Sequence, residues 1–209
     1  MNINKDKFKD LDKLKEKSQS DDIAVISDKV RDLMWTTLML KKPKSILEIG
    51  TGTGYSATVM AKCLQSIGQD FKIVTIEKDK KSFDKANKSF SKTNLIEKIT
   101  AYNMDAKEYI EQASVSDQSF DFIFLDGPKA RYKDYLDLLV YLLNKGGVLF
   151  VDNVLFRGHV LKEDYKEIPK RYKTIIVKLR KFLENLIEEE KLNTHILKTG
   201  DGVSISIKK

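Results

Sequence analysis

Short apolar runs alternate with helical patterns through most of the chain. Five runs have the length and composition of buried strands and lie at 45–49, 71–76, 99–103, 120–125 and 147–151. Apolar residues at helical spacing predict helices between and after them, at 56–67, 80–90, 107–112, 132–143 and 172–190. Strands that alternate with helices form a parallel sheet with both faces covered. The pattern therefore predicts a doubly wound α/β fold.

The two ends of the chain depart from this alternation. Residues 5–17 predict a short surface helix with apolar side chains on one side only, and Ser27 is placed to cap a second helix that ends at Leu40. Near the other end, runs at 194–197 and 203–207 flank a Gly-Asp-Gly sequence, which is typical of a hairpin. We expect this hairpin to form an antiparallel edge of the sheet.

Composition narrows the class of protein. A length of 209 residues suits one domain, with a core over 43–209 and N-terminal helices over 1–42 that cover the site or form a dimer interface. A single cysteine excludes a disulfide framework and a multi-cysteine zinc site. Because the sequence has neither a membrane-span-length apolar run nor a secretory signal, we expect a soluble, cytoplasmic protein. The net charge of +7 permits a polyanionic partner without requiring one.

A glycine-rich turn follows the first predicted strand. Gly50, Gly52 and Gly54 leave the backbone open to a ligand, and Glu77 ends the second strand, where it can accept hydrogen bonds from ribose hydroxyls. The spacing is G-x-G-x-G, and Tyr55 stands where a dinucleotide-binding turn carries a small residue. The motif favours an adenosyl ligand over NAD. An NAD-dependent oxidoreductase and a plain strand-to-helix turn remain the alternatives.

Oxygen-bearing side chains follow the fourth and fifth predicted strands. Asp126 ends one strand, and Asp152 and Asn153 end the next, so adjacent strands would bring all three to one edge of the sheet. Two carboxylates and an amide form an incomplete shell of hard ligands that suits Mg²⁺. Lys129 lies close to this set and could act as a proton acceptor or an orienting cation. The alternative is that these side chains only order a loop and cap a helix.

Four motifs together resemble a known family. EIGTGTGYSA, TIEKD, FLDGPKARY and VDNVLFRG are similar to the motifs of the cation-dependent O-methyltransferases, and the resemblance covers roughly residues 25–209. That family includes catechol and caffeoyl-CoA enzymes and a bacterial branch that methylates tRNA. The resemblance implies the class I, Rossmann-like methyltransferase fold, S-adenosylmethionine as methyl donor and Mg²⁺ or another divalent cation as cofactor. Members of the bacterial group often form homodimers.

The resemblance also implies roles for individual residues. The donor site would comprise Ile26, Glu48, Gly50, Gly52, Ser56, Glu77, Asp105, Ala106 and Asp126. In this set Glu77 would hold the ribose, and Asp105 and Ala106 would border the adenine. Asp126, Asp152 and Asn153 would hold the cation, and Lys129 matches the proposed base of the catechol enzymes. Pro128 stands where those enzymes carry a bulky aromatic residue, which disfavours a catechol as acceptor.

A basic stretch directly follows the VDN motif. Residues 157–181 contain nine basic and three acidic residues, interleaved with aromatic side chains that could stack on bases. Arg157, Lys162 and Arg171 are candidate RNA-binding residues. We expect tRNA as the partner, with 5-hydroxyuridine at the wobble position methylated to 5-methoxyuridine. A small-molecule enzyme acting on catechol-like or CoA-linked phenols, a non-catalytic RNA-binding protein and a merely solvated helix face are the alternatives.

Overall fold

A computed structural model describes residues 8–20 and 23–209, so the first residues of the predicted helix over 5–17 lie outside the described part. The strands of this part are β1 (Ser45–Ile49), β2 (Lys72–Glu77), β3 (Ile99–Asn103), β4 (Phe120–Leu125), β5 (Leu143–Asp152), β6 (Leu192–Leu197) and β7 (Val203–Lys208). Its α-helices are α1 (Lys9–Ser20), α2 (Asp28–Lys41), α3 (Tyr55–Ser66), α4 (Lys80–Lys92), α5 (Ala106–Val115), α6 (Tyr132–Leu142) and α7 (Lys173–Glu188).

All seven strands belong to one sheet in the order β3-β2-β1-β4-β5-β7-β6. The pairs from β3 through β5 are parallel, and β7 pairs antiparallel with both β5 and β6. The predicted α/β fold with a mostly parallel sheet and a C-terminal hairpin is confirmed. Within the hairpin, β7 lies inside the sheet and β6 forms the predicted antiparallel edge.

β5 is longer than the predicted strand over 147–151. It begins at Leu143, and its pairing with β4 shifts register between Phe120 and Phe122. Gly146, at φ +70°, lies within this irregular part of the strand. Three extra residues of β5 are accommodated in this irregularity, and glycine tolerates the positive φ that it requires.

Apolar side chains cover both faces of the sheet. On one face, the rings of Phe124 and Phe150 pack at 5.8 Å beneath α2 and α3. The opposite face is covered by α5, α6 and α7. The N-terminal helix packs onto the first face through Phe8, which is 4% exposed and lies 5.0 Å from Trp35, ring centre to ring centre. Within the described ranges, no helix combines the length and apolar character that crossing a membrane requires.

Candidate active site

The turn after β1 brings the ends of β1 and β4 into contact. Gly50 has φ +100°, and a Cβ atom at this residue would lie 2.3 Å from the backbone oxygen of Asp126. Asp126 donates its backbone N–H to the carbonyl oxygen of Ile49 at 2.9 Å. A side chain at residue 50 would push the two strand ends apart, so only glycine fits there.

Glu77 closes the glycine turn from the neighbouring strand. Its Oε2 accepts a hydrogen bond from the backbone N–H of Gly52 at 2.9 Å, and its Oε1 accepts one from the N–H of Asp79 at 2.8 Å. These bonds fix the carboxylate at the end of β2. Each carboxylate oxygen can accept a second hydrogen bond, so Glu77 retains the capacity to bind ligand hydroxyls.

Glu48 lies beneath the same turn and has no exposed surface. The hydroxyls of Ser56 and Thr75 donate to its two carboxyl oxygens, each at 2.5 Å, and the Thr51 hydroxyl lies 2.5 Å from that of Thr75. Burial raises the pKa of Glu48 to about 8, although the two hydroxyl donors oppose the shift. This carboxyl therefore carries a proton over much of the neutral pH range.

Two clefts open at the carboxyl ends of the parallel strands and share Gly50, Glu77 and Asp126. The first holds about 460 Å³, counting space open to solvent, and is also lined by Ala24, Val25, Ile26, Thr51, Gly52, Thr53, Tyr55 and Ser56. The second holds about 580 Å³ and is also lined by Ile49, Ile76, Lys78, Met104, Asp105, Ala106, Gly127, Pro128 and Tyr135. A ligand of adenosyl size would extend across both clefts.

The clefts gather most of the predicted donor residues. Those that line one or both are Ile26, Gly50, Gly52, Ser56, Glu77, Asp105, Ala106 and Asp126. Glu48 lies behind the wall and connects to the lining of the first cleft through Ser56 directly and through Thr75 and Thr51. Sequence reasoning missed Met104 and Tyr135. Met104 directly follows the end of β3, a position that could have indicated it, whereas Tyr135 has the spacing of an ordinary core residue on α6.

Asp126 and Asp152 leave neighbouring strands side by side. β4 and β5 pair in register through Leu125 and Val151, so the next residue of each strand reaches the same edge of the sheet. Asp152 is 1% exposed, and burial together with the nearby charge of Asp126 raises its pKa to about 7. Burial also raises the pKa of Asp126, whereas the positive charge of Lys129 opposes that shift.

Lys129 and Asn153 complete the predicted set at this edge. Lys129 Nζ donates to Asp126 Oδ1 at 2.9 Å, and both side chains are about one-fifth exposed. Asn153 has φ +58°, in the left-handed region, and donates its backbone N–H to Asp152 Oδ1 at 2.7 Å. The sheet register thus brings together the four residues that the sequence singled out.

The donor set at this edge fits a divalent cation. Two carboxylates and an amide oxygen are hard ligands, and the negative charge of Asp126 raises the proton affinity of the buried Asp152. A bound cation would remove that repulsion. In the part of the chain that the structure describes, no group of three or more His, Cys, Asp or Glu side chains could hold a metal ion. The predicted set contains only two such residues, completed by the amide of Asn153.

Aromatic rings follow this edge in the connection from β5 to α7. The ring centres of Phe156 and Tyr172 lie 5.2 Å apart in an edge-to-face arrangement, and the His159 ring lies 5.6 Å from that of Tyr172. The guanidinium carbon of Arg171 lies 4.7 Å from the centre of the Tyr172 ring. We call Phe156, His159 and Tyr172 the aromatic cluster. Its rings and the adjacent cation could stack on a planar ligand.

The basic residues near this cluster have different roles. Arg157 and Arg171 are exposed. Lys162 is half-buried and forms an ion pair with Glu167, with 3.3 Å between Nζ and Oε2. Arg180 donates to the carbonyl oxygen of Lys162 and so holds the connection against α7. The exposed positive charge is therefore smaller than the count of basic residues over 157–181 implies.

Comparisons with known proteins show which sequences and folds this chain resembles. Residues 2–209 match a family model described as O-methyltransferase. A caffeoyl-CoA O-methyltransferase from Populus kitakamiensis is 29% identical over 80% of this chain and 71% of its own length. The corresponding enzyme from Stellaria longipes is 31% identical over 80% of this chain and 70% of its own length.

Two solved structures show the same likeness. A putative caffeoyl-CoA O-methyltransferase from Staphylococcus aureus superposes with a TM-score of 0.84 at 27% identity, covering 95% of this chain and 92% of the other. The SAH-bound methyltransferase PaMTH1 from Podospora anserina superposes with a TM-score of 0.76 at 26% identity, covering 88% and 80% of the two chains.

Proposed function

Because the chain belongs to the O-methyltransferase family, and is therefore an S-adenosylmethionine-dependent O-methyltransferase, we propose that it converts 5-hydroxyuridine at the tRNA wobble position to 5-methoxyuridine. The observation that carries this acceptor is the aromatic cluster with exposed Arg157 and Arg171, immediately after Asp152 and Asn153. Rings that stack on bases and cations that contact phosphates are the usual means of binding single-stranded RNA.

The two clefts are proposed to hold the methyl donor. Glu77, fixed by two backbone N–H groups, would accept hydrogen bonds from the ribose hydroxyls. The second cleft, bordered by Asp105 and Ala106, would take the adenine, and the first cleft, bordered by Ile26 and Ser56, the methionine part. Asp126 lines both clefts and also belongs to the cation set. The donor would therefore lie directly beside the acceptor side of the site.

Asp126, Asp152 and Asn153 are proposed to hold a divalent cation, preferably Mg²⁺. When bound, the cation would supply positive charge that favours the deprotonated acceptor hydroxyl. The surrounding protein contributes by fixing the ligands, since Asp152 is buried and accepts a hydrogen bond from the backbone N–H of Asn153. The 5-hydroxyl and 4-carbonyl of 5-hydroxyuridine form an adjacent pair of oxygens, as the two hydroxyls of a catechol do.

Lys129 is proposed to take the proton from the acceptor hydroxyl as the neutral amine, after the ammonium that pairs with Asp126 has released its own proton to solvent. The acceptor oxygen then bonds to the donor methyl carbon while the carbon–sulfur bond breaks and its electron pair stays on sulfur. No covalent enzyme intermediate forms. Holding both reactants in line removes much of the entropic part of the barrier.

A variant pair tests the role of Lys129. Lys129→Ala removes both the amine and its charge, whereas Lys129→Arg keeps the charge but cannot accept a proton at neutral pH. If Lys129 is the base, both variants lose turnover and retain donor affinity measured by calorimetry. If Lys129→Arg retains turnover, the side chain only orients its neighbours and another group takes the proton.

A CoA-linked phenol is the second candidate acceptor. The observation in its favour is that relatives 29% and 31% identical are caffeoyl-CoA O-methyltransferases. CoA is anionic, so exposed arginines beside the site suit it as well as tRNA. Pro128 lines the second cleft at the position where catechol enzymes carry a bulky aromatic residue, so a catechol is not favoured as the acceptor.

Two measurements decide between the acceptors. Mass spectrometry of tRNA nucleosides from a deletion strain should show loss of 5-methoxyuridine and accumulation of 5-hydroxyuridine. The purified enzyme should methylate tRNA from that strain, lose activity with a chelator and regain it with Mg²⁺, while caffeoyl-CoA gives little product. Undiminished 5-methoxyuridine in the deletion strain would refute the tRNA proposal, and rapid methylation of caffeoyl-CoA would replace it by the second candidate.

A further inference from the structure

The turn between β6 and β7 contacts the segment that follows Asn153. The backbone N–H of Val154 donates to the carbonyl oxygen of Gly202, and that of Leu155 to the carbonyl oxygen of Asp201, both at 3.0 Å. The carboxylate of Asp201 also accepts a hydrogen bond from the backbone N–H of Arg157. One turn thus binds three backbone groups of residues 154–157.

Those backbone groups belong to a strained segment. Asn153, Phe156 and Arg157 have φ values of +58°, +45° and +54°, in the left-handed region that side-chain-bearing residues rarely adopt. Such conformations persist only where surrounding contacts enforce them. The charge-assisted bond from the Asp201 carboxylate reaches the last residue of this segment, where it opposes relaxation of the strained backbone.

The turn between β6 and β7 also packs closely against the start of α2, beside the first cleft. A Cβ atom at Gly200 would lie 2.9 Å from the Ser27 hydroxyl, and one at Gly202 would lie 2.3 Å from the Leu155 side chain. Ser27 caps α2 and directly follows Ile26, which lines the first cleft. The turn therefore spans from the wall of the first cleft to the segment that carries Asn153 and Phe156.

We propose that Asp201 is a positioning residue for the acceptor side. Through the Arg157 N–H, its carboxylate holds residues 153–157 so that Asn153 faces the cation set and Phe156 contributes to the aromatic cluster. This role rests on the proposed cation set, but it does not depend on which acceptor the enzyme methylates. Asp201 touches neither the proposed substrate nor the cation in this arrangement, and it acts through the backbone that it fixes.

Two substitutions at this residue separate its hydrogen bond from its charge. Asp201→Ala removes the acceptor for the Arg157 N–H, whereas Asp201→Asn keeps an acceptor oxygen and removes only the charge. Asp164 offers a matched control, because its Oδ1 accepts from the backbone N–H of Lys166 at 2.7 Å in the same connection between β5 and α7. Asp164→Ala removes an equivalent loop bond that does not reach Asn153.

The first readout is Mn²⁺ binding to the purified protein, followed by electron paramagnetic resonance, with donor affinity measured in parallel. We expect Asp201→Ala to weaken Mn²⁺ binding about tenfold, the scale of one lost hydrogen bond to a charged group. Donor affinity should change less than twofold. Asp201→Asn should recover about half of the lost binding free energy, because its amide oxygen accepts the same hydrogen bond without the charge, and Asp164→Ala should match the wild type.

The second readout is steady-state methylation. Asp201→Ala should raise the acceptor KM and lower kcat, with an unchanged KM for S-adenosylmethionine. Equal losses in Asp201→Ala and Asp201→Asn would assign the effect to charge and overturn the proposal, as would wild-type Mn²⁺ binding in Asp201→Ala. If the wild type binds Mn²⁺ but methylates no tRNA, the proposed acceptor is wrong while the role of Asp201 still stands or falls on the Mn²⁺ comparison.

Discussion

Replacing Glu48 with Gln should remove a pH-dependent part of the folding free energy. In the unfolded chain this carboxyl has its ordinary pKa of 4.5, whereas burial in the folded protein raises the pKa to about 8. The folded protein therefore holds this proton more tightly than the unfolded chain does. The resulting stabilisation is complete below the unfolded pKa and is lost as the pH rises through the folded pKa. At about 1.4 kcal/mol per pH unit, the loss between about pH 5 and about pH 7.5 is about 3 kcal/mol.

The assay is urea unfolding of the donor-free protein at several pH values, wild type against Glu48→Gln. Glutamine keeps a donor and an acceptor for Ser56 and Thr75 but has no proton to lose. The free energy of unfolding of the wild type, relative to the variant, should therefore fall steadily across this pH range. Glu111→Gln, on the exposed surface of α5, is the control and should keep the wild-type slope. A constant difference between wild type and Glu48→Gln at every pH would refute the reasoning.

Three further predictions concern the glycine turn, the donor site and the sheet. Gly54→Ala should lower the free energy of unfolding by more than about 2 kcal/mol, because φ is +82° and the added Cβ would lie 2.6 Å from the Phe90 ring. The control is Gly68→Ala, where φ is +65° but the Cβ would meet no atom within 4 Å, and the loss should be about 1 kcal/mol. Equal losses in urea unfolding would contradict this. Glu77→Gln should weaken binding of S-adenosylhomocysteine about tenfold in calorimetry, and unchanged affinity would remove the ribose role. Lys208→Met should lower the free energy of unfolding by about 1–2 kcal/mol and leave donor affinity intact. Lys208 Nζ donates to two carbonyl oxygens at the end of α6, at 2.6 and 2.7 Å, and methionine cannot donate to them. A free energy of unfolding equal to that of the wild type would show that these bonds contribute nothing to stability.

The fold was predictable because its signals are local. Strands buried on both faces appear as continuous apolar runs, so β1 and β4 have the predicted bounds. The edge strand β3 also has the predicted bounds, although only its first residue is buried. The placement of β7 between β5 and β6 was not predictable, since the sequence indicates a hairpin but not which of its strands pairs with the sheet. The start of β5 was also missed, because two adjacent glycines have the same signature in a turn and in a bulge.

The candidate site was predictable where strand ends determine it. The parallel register places Asp126 and Asp152 together once β4 and β5 are neighbours. Contacts between distant segments could not be predicted from the sequence. An example is the hydrogen bond from the Arg157 N–H to Asp201, since no local pattern near either residue indicates the other. The count of basic residues over 157–181 also overstated the exposed positive charge, because the Arg180 guanidinium is half-buried and donates to the carbonyl oxygen of Lys162. The cation, tRNA and homodimer stay predictions.

The position of β7 also determines the order in which the molecule can assemble. β5, which ends in Asp152, has β4 on one side and β7 on the other. While the chain emerges from the ribosome, β1 to β4 can pair early, but one border of β5 stays open until residues 203–208 have been synthesised. Unpaired strand borders attract foreign strands. The strand that carries Asp152 therefore completes its pairing only after the last strand of the sheet has been synthesised.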